Sequence, residues 1–571
     1  MDDFTEEEVF AAIKGSATNK SPGKDGLTRE FYLKTWPIIK REFTAVLNEI
    51  KNGHVTQDLQ DGIIVLVRKR GGGDGIESFR PITLLNVDYK LLTRVLKCRL
   101  ELLSTKVLSH NQKCSNGKRT IFEAVCTIRD HIALSKQERI GGILIACDLS
   151  NAFDRVNHNF LFSTIRRMGF NTRFVDLLES LAPHARSQLI INGRVTEPFH
   201  ISRSVRQGDP LRMPLFVLYL QPFLDKIVAI CNGHREAVFA YADNITIIIR
   251  NTEKVEQIQL CFQQFNRVAG AKLNLRKTEA LEIGPIMPNW NGFNKKSAIK
   301  VLGVVFKNNI KDTVSANWEK VYRSTNALLW MNRPRLVNLR QKVILLNTFI
   351  CSKLWYIASV LPLPNKYAAM FTKQIGFFLW AGVPAQRVKF IDVIRKKSKG
   401  GLGLHAPDLK AKSLLTNRYL KSRDTESLVD HYMQHDHIPN ELSYLHSIKL
   451  LINSLPERLL NEPEAKEIYQ FQIQSLPPVA ITTRVDKNWR KIWKNINHKF
   501  LNSDEKSAYF LLIHGKYYHN DLLFHQERRD NPDCSFCGQR ETLEHKFASC
   551  HNRVDIWHEA QRNLQLITQQ N

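Results

Sequence analysis

The sequence lacks the features that mark secreted, fibrous and membrane-spanning proteins. No uninterrupted apolar run approaches the roughly 20 residues that a membrane-spanning helix needs. The first eight residues are largely acidic and lack the basic and apolar regions of a signal peptide. The chain has no internal repeat, no low-complexity tract and no linker rich in Gly, Ser or Pro. We therefore expect an intracellular protein that does not associate with membranes.

Cysteine is too sparse for a secreted disulfide framework, since there are 10 cysteines among 571 residues. Most of them are scattered singly along the chain. Cys534, Cys537 and Cys550, by contrast, lie close together near the C-terminus. This spacing favours one metal site over a set of disulfides.

Acidic residues are few relative to basic ones. There are 55 Asp and Glu against 82 Lys and Arg, which gives a formal net charge of +27 and an isoelectric point near 9.7. Such an excess indicates a polyanionic partner, and nucleic acid is the commonest one. Hydrophobic residues make up 43% of the chain, so a sizeable core is expected and global disorder is excluded. The length suggests three or four domains of roughly 150 residues each.

Short apolar runs typical of strands alternate with helical patterns in the first half of the chain. These runs are Gly62–Arg68, Ile143–Cys147, Ala237–Ala242, Ile245–Ile249 and Val301–Phe306. From about residue 311 to residue 500 the pattern is mostly helical and basic. Strands and helices mixed in this way predict an α+β domain followed by a helical region.

Two of the apolar strands deliver a carboxylate at one end. Asp148 directly follows Ile143–Cys147, and Asp243 lies in Tyr241–Asn244, which the flanking runs predict to be a hairpin turn. A buried carboxylate is costly unless it is paired with a cation. Two acids on neighbouring strands can hold two divalent ions about 4 Å apart for phosphoryl transfer. The alternative is a pair of structural salt bridges, and these residues alone leave both open.

The order of the motifs around these acids resembles one family, the reverse transcriptases of non-LTR (LINE-type) retrotransposons. A single Tyr-Ala-Asp tetrapeptide is a weak signal, but an ordered series over some 300 residues is specific. The matching blocks are Lys20–Gly26, Phe79–Leu85, Tyr89–Leu91, Asp148–His158, Ser204–Leu211, Tyr241–Asn244, Leu273–Thr278 and Leu302–Val304.

The resemblance implies a right-hand polymerase fold of fingers, palm and thumb, followed by a basic helical region and a small zinc knuckle. The implied divisions are an N-terminal extension of the fingers (1–60), fingers and palm (61–310), thumb and basic region (311–425), a helical linker region (426–520) and the knuckle (521–571).

The same resemblance implies roles for individual residues. Asp148 and Asp243 would bind two Mg²⁺ ions, which prefer oxygen ligands beside phosphates. Phe153 would lie under the sugar of the incoming nucleotide and exclude a ribose 2′-hydroxyl. The other implied nucleotide-binding residues are Lys69, Arg80, Gln207, Gly208 and Lys277. Leu302 and Gly303 resemble the hairpin that grips the primer, and a plain buried strand is the alternative. Taken singly, each of these residues has an ordinary alternative as a core aromatic, a solvated cation, a turn or a buried strand.

Two residues depart from the family pattern. Asn244 stands where the family has a second Asp, so the predicted catalytic group Asp148, Asp243 and Asn244 lacks one negative charge. The amide hydrogens of Asn244 also place donors where lone pairs are needed. Arg212 stands where the family usually has Ser, and its long side chain is expected to crowd the template. We therefore predict an impaired polymerase.

A basic tract and a tryptophan pair follow the predicted palm. Between Arg387 and Arg423 there are 11 Lys and Arg against two acids, a bias suited to a phosphate backbone. This tract contains Lys399–Leu404, a Gly-rich block that is also seen in the family. Trp489 and Trp493 are spaced to share one helix face, either to pack into a core or to stack on bases. A solvated surface is the alternative for the basic tract.

The C-terminal cysteines form a pattern with one histidine. Cys534, Cys537, His545 and Cys550 have the spacing of a zinc knuckle, which predicts a closed tetrahedral structural site for one Zn²⁺. Gly538 would let the backbone turn, and Phe536 and Phe547 are expected to cover the site. The same arrangement ends many non-LTR reverse transcriptases.

The sequence therefore predicts an RNA-directed DNA polymerase of a non-LTR retrotransposon. Its expected partners are the element RNA as template, target DNA or a primer, and dNTPs. The family implies a nuclear location, and an upstream endonuclease domain is expected to be absent from this chain. The alternative is a catalytically silent nucleic-acid-binding remnant of such an element, which Asn244 favours.

Overall fold

A computed structural model defines the fold of the chain. It describes residues 2–569 except 70, 72, 115–119, 183, 184, 289, 381–386, 424–427, 436 and 480–486. Two compact units are present: the first comprises Met1–Ala316 with Ser422–Leu445, and the second comprises Asn317–Lys421 with His446–Asn571. The finer domain boundaries taken from the family resemblance stay predictions.

The first unit mixes helices and strands, which confirms the predicted α+β class. Its strands are β1 Gly62–Arg68, β2 Phe79–Leu85, β3 Gly142–Cys147, β4 Arg186–Ile191, β5 Arg194–Val195, β6 Phe199–His200, β7 Ala237–Tyr241, β8 Asn244–Ile249, β9 Glu279–Ile283, β10 Asn294–Lys295, β11 Ala298–Val301 and β12 Val304–Lys307. Its helices up to residue 269 are Glu6–Gly15, Arg29–Lys51, Gln57–Gln60, Val87–Val107, Ile121–Gln137, His158–Arg167, Thr172–Ser180, Arg212–Ile230 and Lys254–Ala269.

Helix starts in this unit follow local sequence signals. Thr5 accepts a hydrogen bond from the Glu8 backbone N–H, and the Glu8 side chain accepts one from the Thr5 N–H. The same reciprocal pair joins Thr120 and Glu123 at the start of Ile121–Gln137. Each pair satisfies backbone donors that the first helical turn leaves without partners.

One sheet has the strand order β2-β1-β4-β5, with β6 also paired to β4. Strands β1 and β2 form an antiparallel hairpin in which Arg68 faces Phe79. Residues 70 and 72 of the segment that joins these two strands lie outside the described residues.

The other sheet has the strand order β10-β9-β3-β8-β7. Its central strands β3 and β8 are antiparallel, and each is a nearly continuous run of buried residues. Such runs are typical of strands covered on both faces. The sheet therefore forms a rigid base for the side chains that follow its strands.

The predicted strand Val301–Phe306 is instead two strands. Strands β11 and β12 pair antiparallel around the two-residue turn Leu302–Gly303. Leu302 has φ +47° and Gly303 has φ +89°, so both lie in the left-handed region that a tight two-residue hairpin turn requires. The hairpin implied by the resemblance is therefore present, whereas the apolar run alone did not reveal it, because Leu rarely adopts this backbone conformation.

The core of the first unit is organised around the helix Arg212–Ile230. Phe223 packs against Phe262 and Phe265, with ring centroids 4.6 Å and 4.7 Å apart. Burying an aromatic side chain of this size contributes about 1.5–3 kcal/mol. This helix is also long and apolar enough to cross a membrane, but 56% of its apolar window is buried within the protein, as expected for a core helix.

The second unit is helical, as the sequence predicted. Including the helix that leads into it, its helices are Ile310–Asn332, Leu339–Leu345, Ser352–Ala358, Asn365–Leu379, Phe390–Val393, Pro407–Ser422, Tyr444–Ser454, Glu457–Asn461, Ala465–Gln474, Trp489–Ile496, Ser503–Ile513, Asn520–His525 and His551–Gln569. Asp430–Gln434 is a further short helix, and it belongs to the first unit.

Candidate functional site

The two predicted acids lie at the same edge of the central sheet. Cys147 of β3 pairs with Ile245 of β8, so Asp148 follows β3 beside the start of β8. Tyr241 pairs with Asn244, which places Asp243 in the two-residue turn between β7 and β8. Burial and then the charge of Asp148 raise the pKa of Asp243. The predicted hairpin is confirmed, and the two carboxylates are close enough to interact.

The turn that carries Asp243 is strained and supported from outside the hairpin. Ala242 has φ +54°, a backbone region that L-residues with a side chain rarely adopt. Its N–H donates to the Gln112 Oε1 at 3.4 Å, and Gln112 is completely buried. The neighbouring Lys113 N–H donates to the Ala240 carbonyl at 2.8 Å. Residues 111–113 therefore hold the turn, a role that no sequence motif indicated.

Asp148 is held by the segment that precedes β9. The Asn274 Nδ2 donates to the Asp148 Oδ2 at 3.1 Å, and the Asn274 backbone N–H donates to the Asp148 carbonyl at 2.8 Å. The Asp148 N–H donates to the Thr278 Oγ1 at 3.2 Å. Asn274 and Thr278 fix the orientation of Asp148. Both fall in a recognised block, but neither was predicted as a site residue.

Asn244 directs an amide donor at the neighbouring acid. Its exposed side chain donates from Nδ2 to the Asp243 Oδ1 at 3.4 Å. This contact uses a carboxylate oxygen that a metal ion would otherwise bind. It is the arrangement expected when an amide replaces a second carboxylate.

Arg212 lies against Phe153, the residue assigned to the sugar of the nucleotide. The guanidinium carbon lies 3.8 Å from the centroid of the Phe153 ring. Burial lowers the pKa of Arg212, while the charges of Asp154 and Asp243 oppose this shift. Its Nε is buried without a hydrogen-bond partner in the described part of the chain. Arg212 therefore covers one face of Phe153 between two acids, whereas the sequence had suggested only a clash with the template.

Asp154 interacts with two of the predicted nucleotide-binding residues. Burial raises its pKa, whereas the charge of Arg212, hydrogen bonds with Gln207 and Ser204, and the charge of Lys69 lower it. The structure thus brings Lys69 and Gln207 to the same place as Arg212. Asp154 was part of a recognised block but was not predicted as a site residue.

Gly208 joins this region to the β1–β2 hairpin. The Thr83 N–H donates to the Gln207 carbonyl at 2.7 Å. Gly208 has φ +134°, and a Cβ at this position would lie 2.2 Å from the Thr83 carbonyl oxygen. Only glycine allows this close approach of two backbones.

The remaining predicted residues lie on β2, in the turn before β9 and at the tip of the β11–β12 hairpin. Arg80 is exposed on β2 opposite Val67, and Lys277 is exposed in the turn before β9. Among the described residues, neither forms a hydrogen bond or ion pair with Asp148 or Asp243. Leu302 and Gly303 form the tip of the β11–β12 hairpin.

The four predicted zinc ligands converge. Their ligand atoms all lie within 4.8 Å of one another. The Cys537 Sγ is 3.1 Å from the His545 Nε2 and 3.9 Å from the Cys550 Sγ. A tetrahedral zinc ion with bonds of about 2.0–2.3 Å needs ligand atoms roughly 3.3–3.8 Å apart. The donor set therefore suits zinc, and both distances lie close to this range.

The surroundings of this cluster favour a metal-binding thiolate. Burial would raise the pKa of Cys534, but hydrogen bonds from the Phe536 and Cys537 backbone and from His545 lower it to about 7. Gly538 turns the chain with φ +74°. Phe536 is 61% exposed, and the guanidinium carbon of Arg553 lies 5.0 Å from the centroid of its ring.

Comparison with known proteins agrees with this geometry. Residues 67–306 match the family described as "Reverse transcriptase (RNA-dependent DNA polymerase)". This part of the chain is a reverse transcriptase domain. Both acids and the Gly208 loop lie within it.

The relatives of the reverse transcriptase domain are non-LTR retrotransposon proteins. An uncharacterized 149 kDa protein of transposon TX1 from Xenopus laevis is 28% identical over 66% of this chain and 30% of its own length. A Pol polyprotein of the type-1 element R2 from Popillia japonica is 25% identical over 48% of this chain and 39% of its own length. A probable RNA-directed DNA polymerase of transposon BS from Drosophila melanogaster is 28% identical over 42% of this chain and 27% of its own length.

The chain thus spans less than two fifths of the length of these relatives. Among solved structures, telomerase from Candida tropicalis in complex with a telomeric RNA fragment aligns with 74% of each chain, at 13% identity and a TM-score of 0.36.

Proposed function

We propose that the chain is an RNA-directed DNA polymerase of a non-LTR retrotransposon. The observation that carries this proposal is the pair Asp148 and Asp243 at adjacent strand ends inside a reverse transcriptase domain. Two interacting carboxylates, one with a raised pKa, form a site whose repulsion a divalent cation would relieve. Reverse transcriptases generally use divalent metals, and Mg²⁺ suits this oxygen donor set.

Asp148 and Asp243 would hold the ions, which when bound supply charge neutralisation and Lewis acidity at the phosphates. Asn274 and Thr278 keep Asp148 in one orientation, so little reorganisation accompanies binding. Lys69 and Gln207, which both interact with Asp154, would hold the triphosphate and shape the nucleotide pocket. Phe153 would limit the space beside the sugar.

We propose that catalysis is impaired at Asn244. An amide provides no negative charge, and here it donates toward Asp243. Loss of a few kcal/mol of electrostatic stabilisation lowers a rate by roughly 10²–10³. Asn244 is therefore the residue whose replacement is most informative.

A catalytically silent nucleic-acid-binding protein is the second candidate. The position of Arg212 over Phe153 supports it, because the guanidinium occupies the face that a nucleotide sugar would approach. Arg212 contributes only one charge to the net charge of +27, and Asn244 contributes none. Binding of RNA or DNA is thus expected under either proposal.

We also propose that the cluster of Cys534, Cys537, His545 and Cys550 holds one structural zinc ion. The spacing of its ligand atoms supports this assignment. RNA template, DNA primer and dNTPs are the proposed partners, and a nuclear location is proposed from the family alone.

Primer extension distinguishes the two candidates. An RNA template annealed to a DNA primer is incubated with dNTPs and Mg²⁺, with wild-type protein beside Asn244→Asp. Extension that requires both the RNA template and Mg²⁺ supports the polymerase. If wild type and Asn244→Asp both bind the duplex but neither extends the primer, the result supports the silent binder.

A further inference from the structure

The second unit contains a large cavity whose wall is strongly basic. Its volume is about 1460 Å³, and eight Lys or Arg residues line it, whereas no Asp or Glu does so among the described residues. The lining of this basic cavity includes Arg340, Arg395, Lys397, Lys506 and Trp489. A concentration of one charge sign on a concave surface produces a strong local potential for anions.

Two of the arginines are buried, and one lacks a counter-ion. Arg340 is 8% exposed and Arg395 is 7% exposed. Arg395 pairs with Asp392 at 3.5 Å and donates to the Pro477 carbonyl. The Arg340 Nε is buried without a hydrogen-bond partner, and no carboxylate of the described chain pairs with this side chain. An unpaired buried cation is unfavourable, which indicates that an external anion completes the site.

The cations of the cavity also repel one another. Partial burial, and then the charges of Arg340 and Lys506, lower the pKa of Lys397. These three residues come from separate segments of the chain that the fold brings together. A bound anion would relieve the repulsion among all three.

An aromatic wall completes the basic cavity. Trp489 and Trp493 stack with centroids 5.3 Å apart and an interplanar angle of 26°. Trp493 is buried, whereas Trp489 is half-buried and lines the cavity. Proteins that bind single-stranded nucleic acids combine cations that contact phosphates with aromatic faces that stack on bases, and this cavity has both.

A Gly-rich block beside the cavity allows the basic loop and the tryptophan helix to approach closely. Gly400 has φ +83°, and a Cβ there would lie 2.7 Å from the Trp493 ring. A Cβ on Gly401 would lie 2.2 Å from the Arg395 carbonyl oxygen. Both glycines are needed to bring the loop of Arg395 and Lys397 against the tryptophan helix.

We propose that the basic cavity binds a short stretch of single-stranded RNA, with phosphates at Arg340, Lys397 and Lys506 and a base against Trp489. Its volume exceeds the roughly 300–1,000 Å³ of pockets for small molecules, which favours a strand over one small phosphate compound. This inference deepens the proposed binding of nucleic acid and does not depend on polymerase chemistry.

The test uses the full-length protein and a labelled single-stranded RNA oligonucleotide, with tripolyphosphate as the probe for a small anion. The variants are Lys397→Gln with Lys506→Gln, both outside the core, and Trp489→Ala. The matched controls are Lys353→Gln and Trp330→Ala, which are exposed and lie outside the cavity. Thermal unfolding verifies that each variant is folded.

We expect the double Lys variant to bind the RNA about tenfold more weakly, with a salt slope reduced by roughly 0.7 for each lost phosphate contact. Trp489→Ala should also weaken binding about tenfold, and the controls should match wild type. If tripolyphosphate binds as tightly as the oligonucleotide and Trp489→Ala changes neither, the cavity holds small polyanions and the proposal is wrong. Unchanged RNA affinity in every folded cavity variant would also overturn it.

The result separates this inference from the proposed polymerase. A protein that never extends a primer but loses RNA affinity in the cavity variants retains the RNA site and refutes only the catalytic proposal. A protein that extends primers, with cavity variants that bind RNA normally, refutes only the cavity proposal.

Discussion

At the scale of single residues, the site combines a preformed acid pair with two unfavourable neighbours. Asp148 is oriented by Asn274, and Asp243 is held in a strained turn. Asn244 and Arg212 each direct donors or positive charge at this place. The two acids suit cations, but an amide donor and a positive charge of the protein itself already interact with them.

Replacing Arg212 tests whether its guanidinium obstructs the nucleotide. In the Asn244→Asp background, Arg212→Ser should lower the KM for dNTPs several-fold, because the face of Phe153 is freed. Steady-state primer extension at varied dNTP concentration measures this change. Arg203→Ser, an exposed arginine, is the control. A raised KM would show that Arg212 binds the nucleotide instead of blocking it.

At the scale of elements, the Gly208 loop packs directly against β2 at Thr83. Gly208→Ala should destabilise the protein by about 2 kcal/mol more than Gly169→Ala. Both glycines have positive φ, but only the Cβ at 208 collides with a backbone carbonyl, whereas the space at 169 is open. Denaturant unfolding of the two variants measures the difference. Equal losses of stability would contradict the close approach to Thr83.

The C-terminal knuckle is an element whose folding should require its metal. Cys537→Ser should abolish zinc binding and unfold this segment locally, because ligand binding and local folding share one free energy. Zinc content and proteolysis of the C-terminal segment provide the readouts, with the exposed Cys98→Ser as control. Wild-type protein purified without chelator that contains no zinc would disprove the assignment.

The elements that the sequence predicted well are those specified by local patterns. The bounds of β1 agree with the prediction, and those of β3, β7 and β8 agree to within one residue, because continuous apolar runs define buried strands. The turn at Leu302 was implied only by the family resemblance, since its backbone conformation is unusual for leucine and the local pattern gives no sign of it.

The site was predictable where motifs carry it and unpredictable where distant segments meet. Asp148 and Asp243 were predicted as site residues because each lies at the end of an apolar strand. The supports from Gln112 and Asn274 lie 130 and 126 residues away from their partners, and no local pattern reveals such contacts. The contact of Arg212 with Phe153 also depends on packing between separate elements.

At the scale of the whole molecule, the excess positive charge should make nucleic-acid binding independent of catalysis. Wild type and Asp148→Ala should bind RNA equally, and affinity should fall steeply as salt rises, because neutralised phosphates release counterions. Binding isotherms at several salt concentrations measure the slope. A flat salt dependence would show that charge does not drive binding.

Single-nucleotide incorporation on an RNA template tests the central claim, that Asp148 and Asp243 form the catalytic site and that Asn244 weakens it. With Mg²⁺ present, Asn244→Asp should incorporate dNTP roughly 10²-fold faster than wild type, because a second carboxylate returns to the site. Adding Asp148→Ala to this variant should abolish incorporation. Wild-type incorporation at the rate of Asn244→Asp, or activity that survives Asp148→Ala, would contradict the account.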